Sequence, residues 1–259
     1  MTDDQARDLR GKIAVVTGSS SGIGRATALE LARAGAMVIV HARQSAEDAA
    51  FVADEIRASG SEAEVIMADL SDADARETFV AKAWRWRGGI DIWVNNAGAD
   101  VLTGDAARWS VEQKLETLWR VDVGATLACS RLVGVRMKQR GHGVIVNTGW
   151  DQAEQGMAGE SGEIFAATKG AIHAFTRSLA QSLAPEVRVN CVAPGWIRTS
   201  WGEHASQAWQ DRARRESLLA RWGAVEDVAR ATHFLVSPAA EFINGQVLMV
   251  NGGLRRYLP

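Results

Sequence analysis

Tyrosine is nearly missing from this chain. Its single copy, Tyr257, stands two residues before the end of a 259-residue sequence. Proton transfer by a phenol in the body of the chain is therefore excluded. Cysteine is scarce too. Cys129 and Cys191 each lie inside an apolar segment and lack metal-ligand spacing, so two reduced, buried thiols and no metal site are expected. No apolar run approaches the roughly 18 residues that a membrane span needs. The first twelve residues are polar and acidic without an apolar signal core, which points to a cytoplasmic location. A formal net charge of -2 gives no basic footprint for nucleic acid or an anionic membrane.

What remains is an ordinary soluble composition, 47% hydrophobic and 23% charged, long enough for a large core. Short β-branched runs alternate with amphipathic segments. Strands are predicted at 12–18, 37–43, 62–70, 90–98, 143–149, 187–195 and 245–253. Helices are predicted at 25–35, 46–60, 72–87, 110–139, 163–184 and 225–236. Near-continuous apolar strands alternating with helices imply a parallel sheet buried on both faces. Right-handed crossovers make it a single doubly wound α/β domain of seven strands. No linker, repeat or composition shift marks a second domain.

The segment TGSSSGIG (17–24) follows the first strand and opens a helix. Gly18 allows the tight turn, Gly22 lets backbone approach a pyrophosphate, and Gly24 lets the helix pack on the strand. The helix N-terminus, with Ser20, Ser21 and Ile23, offers free N–H groups to phosphates. The second strand ends Ala42–Arg43, where a carboxylate would bind a ribose 2′-hydroxyl. Arginine suits a 2′-phosphate instead, so NADP(H) is expected over NAD(H). Asp69, before Leu70, either accepts from an adenine amino group or caps the next helix.

Several motifs stand in order: TGSSSGIG (17–24), the Asp69–Leu70 step, NNAG (95–98), Lys169 in the helix after 165, VNCVAPGWIRT (189–199), ARWG (220–223) and INGQVLMVNGG (243–253). Together they resemble the short-chain dehydrogenase/reductase family, from about Leu9 to Gly253. The resemblance implies that Asn96, Ala97 and Gly98 line the adenosine side. It implies that Pro194, Gly195, Ile197 and Thr199 reach the nicotinamide carboxamide and that Lys169 bridges to the ribose hydroxyls. It also implies a mobile substrate lid over 196–223 and a homo-dimer or homo-tetramer built on the helices near 110–139 and 165–184.

The resemblance implies a catalytic tetrad of Asn, Ser, Tyr and Lys, and here the chain departs from it. The Tyr position is Phe165 and the Asn position is Asp122. The Ser position is Trp150, with Gly149 and Asp151 as alternatives because the following loop is about two residues longer than usual. Only Lys169 is kept. Phe165 has no exchangeable proton and an indole does not release one. Losing a general acid costs roughly 10²- to 10⁴-fold in rate. Asp151, Glu154, Glu160 and Glu163 are candidate replacement acids. Tyr257 donated from a partner subunit is a remote alternative. Asp122 is placed to pair with Lys169.

Trp150, Phe165, Trp196, Trp201 and Trp209 are expected to form an aromatic pocket for a small-molecule substrate or ligand. Two functions follow. One is an NADP(H)-binding oxidoreductase with a degenerate site, acting on a small carbonyl, alcohol or enoyl compound. The other is a catalytically inactive nucleotide-binding member of the family, a sensor or partner subunit.

Overall fold

Alternate residues of the first two strands leave the sheet on opposite sides. On strands β1 (Ile13–Val16) and β2 (Met37–Ala42), Ala14, Val16, Val38 and Val40 enter one apolar cluster while Val15 and Ile39 enter another. At β1 and β2 both faces of the sheet are buried, as the β-branched runs require. The computed structural model describes residues 7–255, apart from the side chains of Trp201 and His204, so Tyr257 lies outside the described residues.

The remaining strands are β3 (Ala63–Met67), β4 (Ile92–Asn95), β5 (Gly143–Thr148), β6 (Val187–Pro194) and β7 (Val247–Val250). All seven are parallel, in the order β3-β2-β1-β4-β5-β6-β7. Helices α1 (Gly22–Arg33) and α2 (Ala46–Ala58) pack residues into the first cluster. Helix α3 (Ala73–Trp86) supplies Phe79, Val80 and Ala83 to the second. The chain reverses strand order between β1 and β4, and ligands of such sheets bind at that crevice.

The helix expected over 110–139 is interrupted. Helix α4 (Val111–Leu118) passes into a π turn, Trp119–Gly124, and then into α5 (Ala125–Arg140). The extra residue of a π turn shifts the helical register, and such turns recur at functional sites. Here it carries the buried Asp122. Helix α6 (Glu160–Leu183) begins three residues earlier than expected. The segment after β6 contains two short helices, α7 (Ser200–His204) and α8 (Gln207–Glu216), and α9 (Val225–Val236) follows.

A buried polar chain fixes the middle of the sheet. Trp93 Nε1 donates to Asn95 Oδ1, Asn95 Nδ2 donates to Ser130 Oγ and Asn147 Oδ1, and Asn147 Nδ2 donates to Thr176 Oγ1, over 2.7–2.9 Å. Its members come from β4, β5, α5 and α6. A fully paired buried network of this kind holds those elements in one relative position. Among the described residues, no helix is long and apolar enough to cross a membrane.

Candidate active site

At the crevice between β1 and β4 lies a cavity of about 470 Å³. The glycine-rich turn forms its floor, from Gly18 through Ser20, Ser21, Gly22 and Ile23 to Gly24. Arg43, Asp69 and Leu70 stand on one side; Asn96, Ala97, Gly98 and Thr199 stand on the other. The glycines are spatial requirements. A Cβ on Gly18 would stand 2.8 Å from Ala97 Cα, and one on Gly24 would stand 2.1 Å from the Gly18 carbonyl oxygen. Asn96 Nδ2 donates to the carbonyls of Thr17 and Gly18, and Thr17 Oγ1 accepts from the N–H groups of Asn96 and Ala97. Gly22 is open above, with only Thr199 Cγ2 at 3.8 Å from its Cβ position. A phosphate could therefore approach the backbone and the N-terminus of α1. The cradle fits a dinucleotide.

One residue escaped the sequence reading. His41, on β2, is 2% exposed. Its Nδ1 accepts from Gly18 N at 3.0 Å, and its Nε2 meets the Ala68 carbonyl at 3.1 Å. That pattern requires the neutral ring, protonated on Nε2. The ring also stacks on Phe79, 4.7 Å between centroids. Burial lowers its pKa to about 4. The signal was present in HAR, two residues before Arg43, but only the tertiary pairing gives it meaning. The folded pKa lies below the unfolded one near 6.5, so stability is intact above pH 6.5 and falls as pH drops toward 4. The loss is about 3 kcal/mol at most. Urea unfolding at pH 7 and pH 4.5 is expected to show it, and a His41→Asn variant should lack that part of the slope.

Asp69 does not cap α3. Its Oδ1 accepts from Ser71 N at 2.9 Å, and Asp72 is the cap, accepting from Ala75 N. Ser71's N–H and hydroxyl, and then the charges of Arg43 and Arg120, hold the Asp69 carboxyl below its ordinary range. Of the remaining expected cofactor residues, Ile197 buries its side chain in the core and pairs with Gly223. Pro194 ends β6 and Gly195 follows it beside Asp151, whose N–H donates to the Pro194 carbonyl.

Asp122, Trp150, Phe165 and Lys169 come from the π turn, the loop just after β5 and the first half of α6. Lys169 Nζ lies 2.8 Å from Asp122 Oδ2, and both side chains are largely buried. Asp122 Oδ1 accepts from Ala99 N at 2.8 Å. Lys169 also donates to the Thr148 carbonyl at 3.4 Å. Trp150 and Phe165 meet edge to face, 6.3 Å between centroids. Gly149 faces the other way: a Cβ there would lie 2.2 Å from His173 Nε2 and 2.8 Å from Cys191 Sγ. Trp150 is thus the residue opposite Phe165. Both cysteines are free and buried, and burial raises their thiols to about 12, so neither is a nucleophile.

The aromatics divide into two groups. Trp196 packs on Trp209 and Trp222, 5.4 and 6.0 Å between centroids, and donates its indole N–H to Glu216 Oε2. Arg212 lies over the rings of Trp196 and Trp209 and donates to Glu216 Oε1. These indoles form the interior of segment 196–223 rather than joining Trp150 and Phe165. The adjoining cavity, about 720 Å³, is lined mainly by polar groups such as Gln152, Glu154, Gln155, Arg212 and Glu216. Trp196 and Trp209, expected to join Trp150 and Phe165 in one aromatic pocket, instead pack on each other under Arg212, while the Trp201 side chain lies outside the described residues.

Residues 18–255 match the family model described as enoyl-(acyl carrier protein) reductase. The chain belongs to the short-chain dehydrogenase/reductase family. It is similar to the short-chain reductase protein NovJ of Streptomyces niveus, 37% identical over 253 residues, 93% of each chain. Among solved structures, this dehydrogenase/reductase matches a 3-oxoacyl (acyl-carrier-protein) reductase of Agrobacterium tumefaciens with NADP bound. The TM-score is 0.87 at 31% identity, over 98% of each chain. It also matches a 7α-hydroxysteroid dehydrogenase complexed with NADH and 7-oxo glycochenodeoxycholic acid. The TM-score there is 0.89 at 30% identity, over the whole of both chains. The family is one of oxidoreductases, and these two neighbours hold different nicotinamide cofactors.

Proposed function

We propose that this chain is an NADP(H)-binding oxidoreductase with a degenerate active site, acting on a small carbonyl, alcohol or enoyl compound. The observation that carries the reading is the cradle at the β1–β4 crevice: an open Gly22 beside the N-terminus of α1, with Arg43 at its edge. Gly18 through Gly24 and Thr199 would hold the phosphates. Asp69 and Asn96 through Gly98 would enclose the adenosine, and Lys169 with Pro194, Gly195 and the backbone of Ile197 would hold the nicotinamide half. The cofactor, when bound, supplies the hydride. The aromatic pair Trp150–Phe165 occupies the positions where the family resemblance implies a serine and a tyrosine, and neither side chain supplies a proton. Segment 196–223 closes as a lid, the chain assembles as a homo-dimer or homo-tetramer, and its location is cytoplasmic.

A second reading, a nucleotide-binding subunit without turnover, is favoured by one observation. Asp122 holds the lysine ammonium in an ion pair, which makes Lys169 a structural cation.

Calorimetric titration with NADPH and NADH tests the shared part. NADPH is expected to bind much more tightly, and Arg43→Ala should weaken NADPH roughly 10- to 100-fold, the worth of one or two charge-assisted hydrogen bonds, while leaving NADH unchanged. No binding of either nucleotide would remove both readings. NADPH consumption with a panel of small ketones and activated enones then separates enzyme from sensor.

A further inference from the structure

We propose that Trp109 is a cofactor-binding residue whose indole forms the wall on which the adenine base of the nucleotide lies. The assignment rests on the nucleotide-binding reading above and holds whether or not the chain turns a substrate over.

The cavity at the β1–β4 crevice has a further side, contributed by α4 and the π turn. Trp109, Thr117 and Val121 line it. The rest of the cavity decides which half of a dinucleotide meets this side. Phosphates belong at the N-terminus of α1, and the adenosine ribose reaches the end of β2, where Arg43 stands. Lys169, Pro194, Gly195 and Ile197, the residues proposed for the nicotinamide half, are not on its walls. The cavity is therefore the adenosine half of the site, and the flat apolar body that its walls meet is a purine.

A purine needs a partner with a broad apolar face. Leu70 is buried, and Ala97 and Val121 are small. His41 also lines the cavity, but its ring is buried and already stacked on Phe79. Trp109 differs from all of these. It is 40% exposed. Among the described residues its ring meets no other ring and no guanidinium, and its N–H meets no acceptor. An indole left in water on the wall of a nucleotide cavity gains when a base covers it.

The ring is also held in place. Trp109 N–H donates to the Ala106 carbonyl at 3.1 Å and closes the 3₁₀ turn Gly104–Arg108. The next residue, Ser110, caps α4 in a reciprocal pair with Gln113. Ser110 Oγ accepts from Gln113 N at 3.3 Å, and Ser110 N donates to Gln113 Oε1 at 3.0 Å. Lys114 Nζ reaches back to the Ala107 carbonyl at 3.0 Å. Earlier in the same connection, Val101 is buried with Leu118 and Ile164. A side chain whose backbone is already fixed on both sides has little left to order when a ligand docks on it.

Calorimetry on the whole protein tests this with NADPH, NADH and 2′-phospho-ADP-ribose, which keeps the adenosine half and lacks nicotinamide. Trp109→Ala should weaken all three by the same factor, roughly 5- to 150-fold, the worth of one base stacked on an aromatic ring. Arg43→Ala, by contrast, should spare NADH. Trp109→Phe should keep most of the affinity, whereas Trp109→Leu, apolar but without a ring, should not. The melting temperature of the nucleotide-free Ala variant should stay within about 2 °C of wild type, as expected for a half-exposed side chain without a structural role. Should the Ala variant fold poorly, the Leu variant carries the same comparison. A loss for NADPH with none for 2′-phospho-ADP-ribose would move the indole to the nicotinamide half and overturn the assignment. Wild-type affinity of the Ala and Leu variants for all three probes would overturn it too, with the nucleotide-binding reading left intact. A wild-type protein that binds none of the three overturns both.

Discussion

The variant Phe165→Tyr/Trp150→Ser is expected to reduce small ketones at pH 8 roughly 10²- to 10⁴-fold faster than the natural chain, the usual worth of a positioned general acid. The reason lies at the end of β5. Trp150 and Phe165 stand edge to face beside Lys169, so a phenol and a hydroxyl would replace two groups that carry no transferable proton. Trp150 is only half-buried, so its truncation costs less than the roughly 3–5 kcal/mol of a core tryptophan. The check is single-turnover oxidation of NADPH at that pH. An unchanged rate at pH 8 would mean that these two aromatics are not what limits carbonyl reduction here. Adding Asp122→Asn should raise the rate further by releasing Lys169 to lower the pKa of the new phenol.

Asp122→Ala is expected to destabilise the fold by about 3–5 kcal/mol, the cost of leaving one member of a buried ion pair alone. Lys169 would retain only the Thr148 carbonyl at 3.4 Å, and the Ala99 N–H would lose its acceptor. At roughly 2–4 °C per kcal/mol for a chain of this size, the melting temperature should fall by about 6–20 °C. Removing both charges together, as Asp122→Leu/Lys169→Met, should recover most of that loss, since an apolar replacement of a buried pair is often neutral. Thermal melts and urea titrations of the three proteins decide it. A cost for Asp122→Ala under about 1 kcal/mol would place the pair in water and deny it any part in fixing the π turn.

The alternation of apolar runs and amphipathic segments determined the doubly wound sheet, because a strand buried on both faces and a helix covering it each leave a mark in the order of residue types. That the glycine turn at 17–24, Arg43, Asp69 and Asn96 line one cavity was legible for the same reason: each sits at the end of a strand whose position the pattern sets. Asp122, Trp150 and Phe165 were visible only as residue identities at the positions the resemblance picks out.

Tertiary structure decided what those identities do. Only the crossing of β2 under the glycine turn makes His41 a neutral brace. Only the π turn between α4 and α5 brings Asp122 to 2.8 Å from a lysine 47 positions later in the chain. Four loop carboxylates look alike in sequence, yet only Asp151 is buried, against Gly195 and Asn251. Trp196 and Trp209 were expected to face a ligand, yet they pack on each other. Burial, pairing and proton affinity depend on neighbours contributed by distant strands and helices, and no local pattern encodes them.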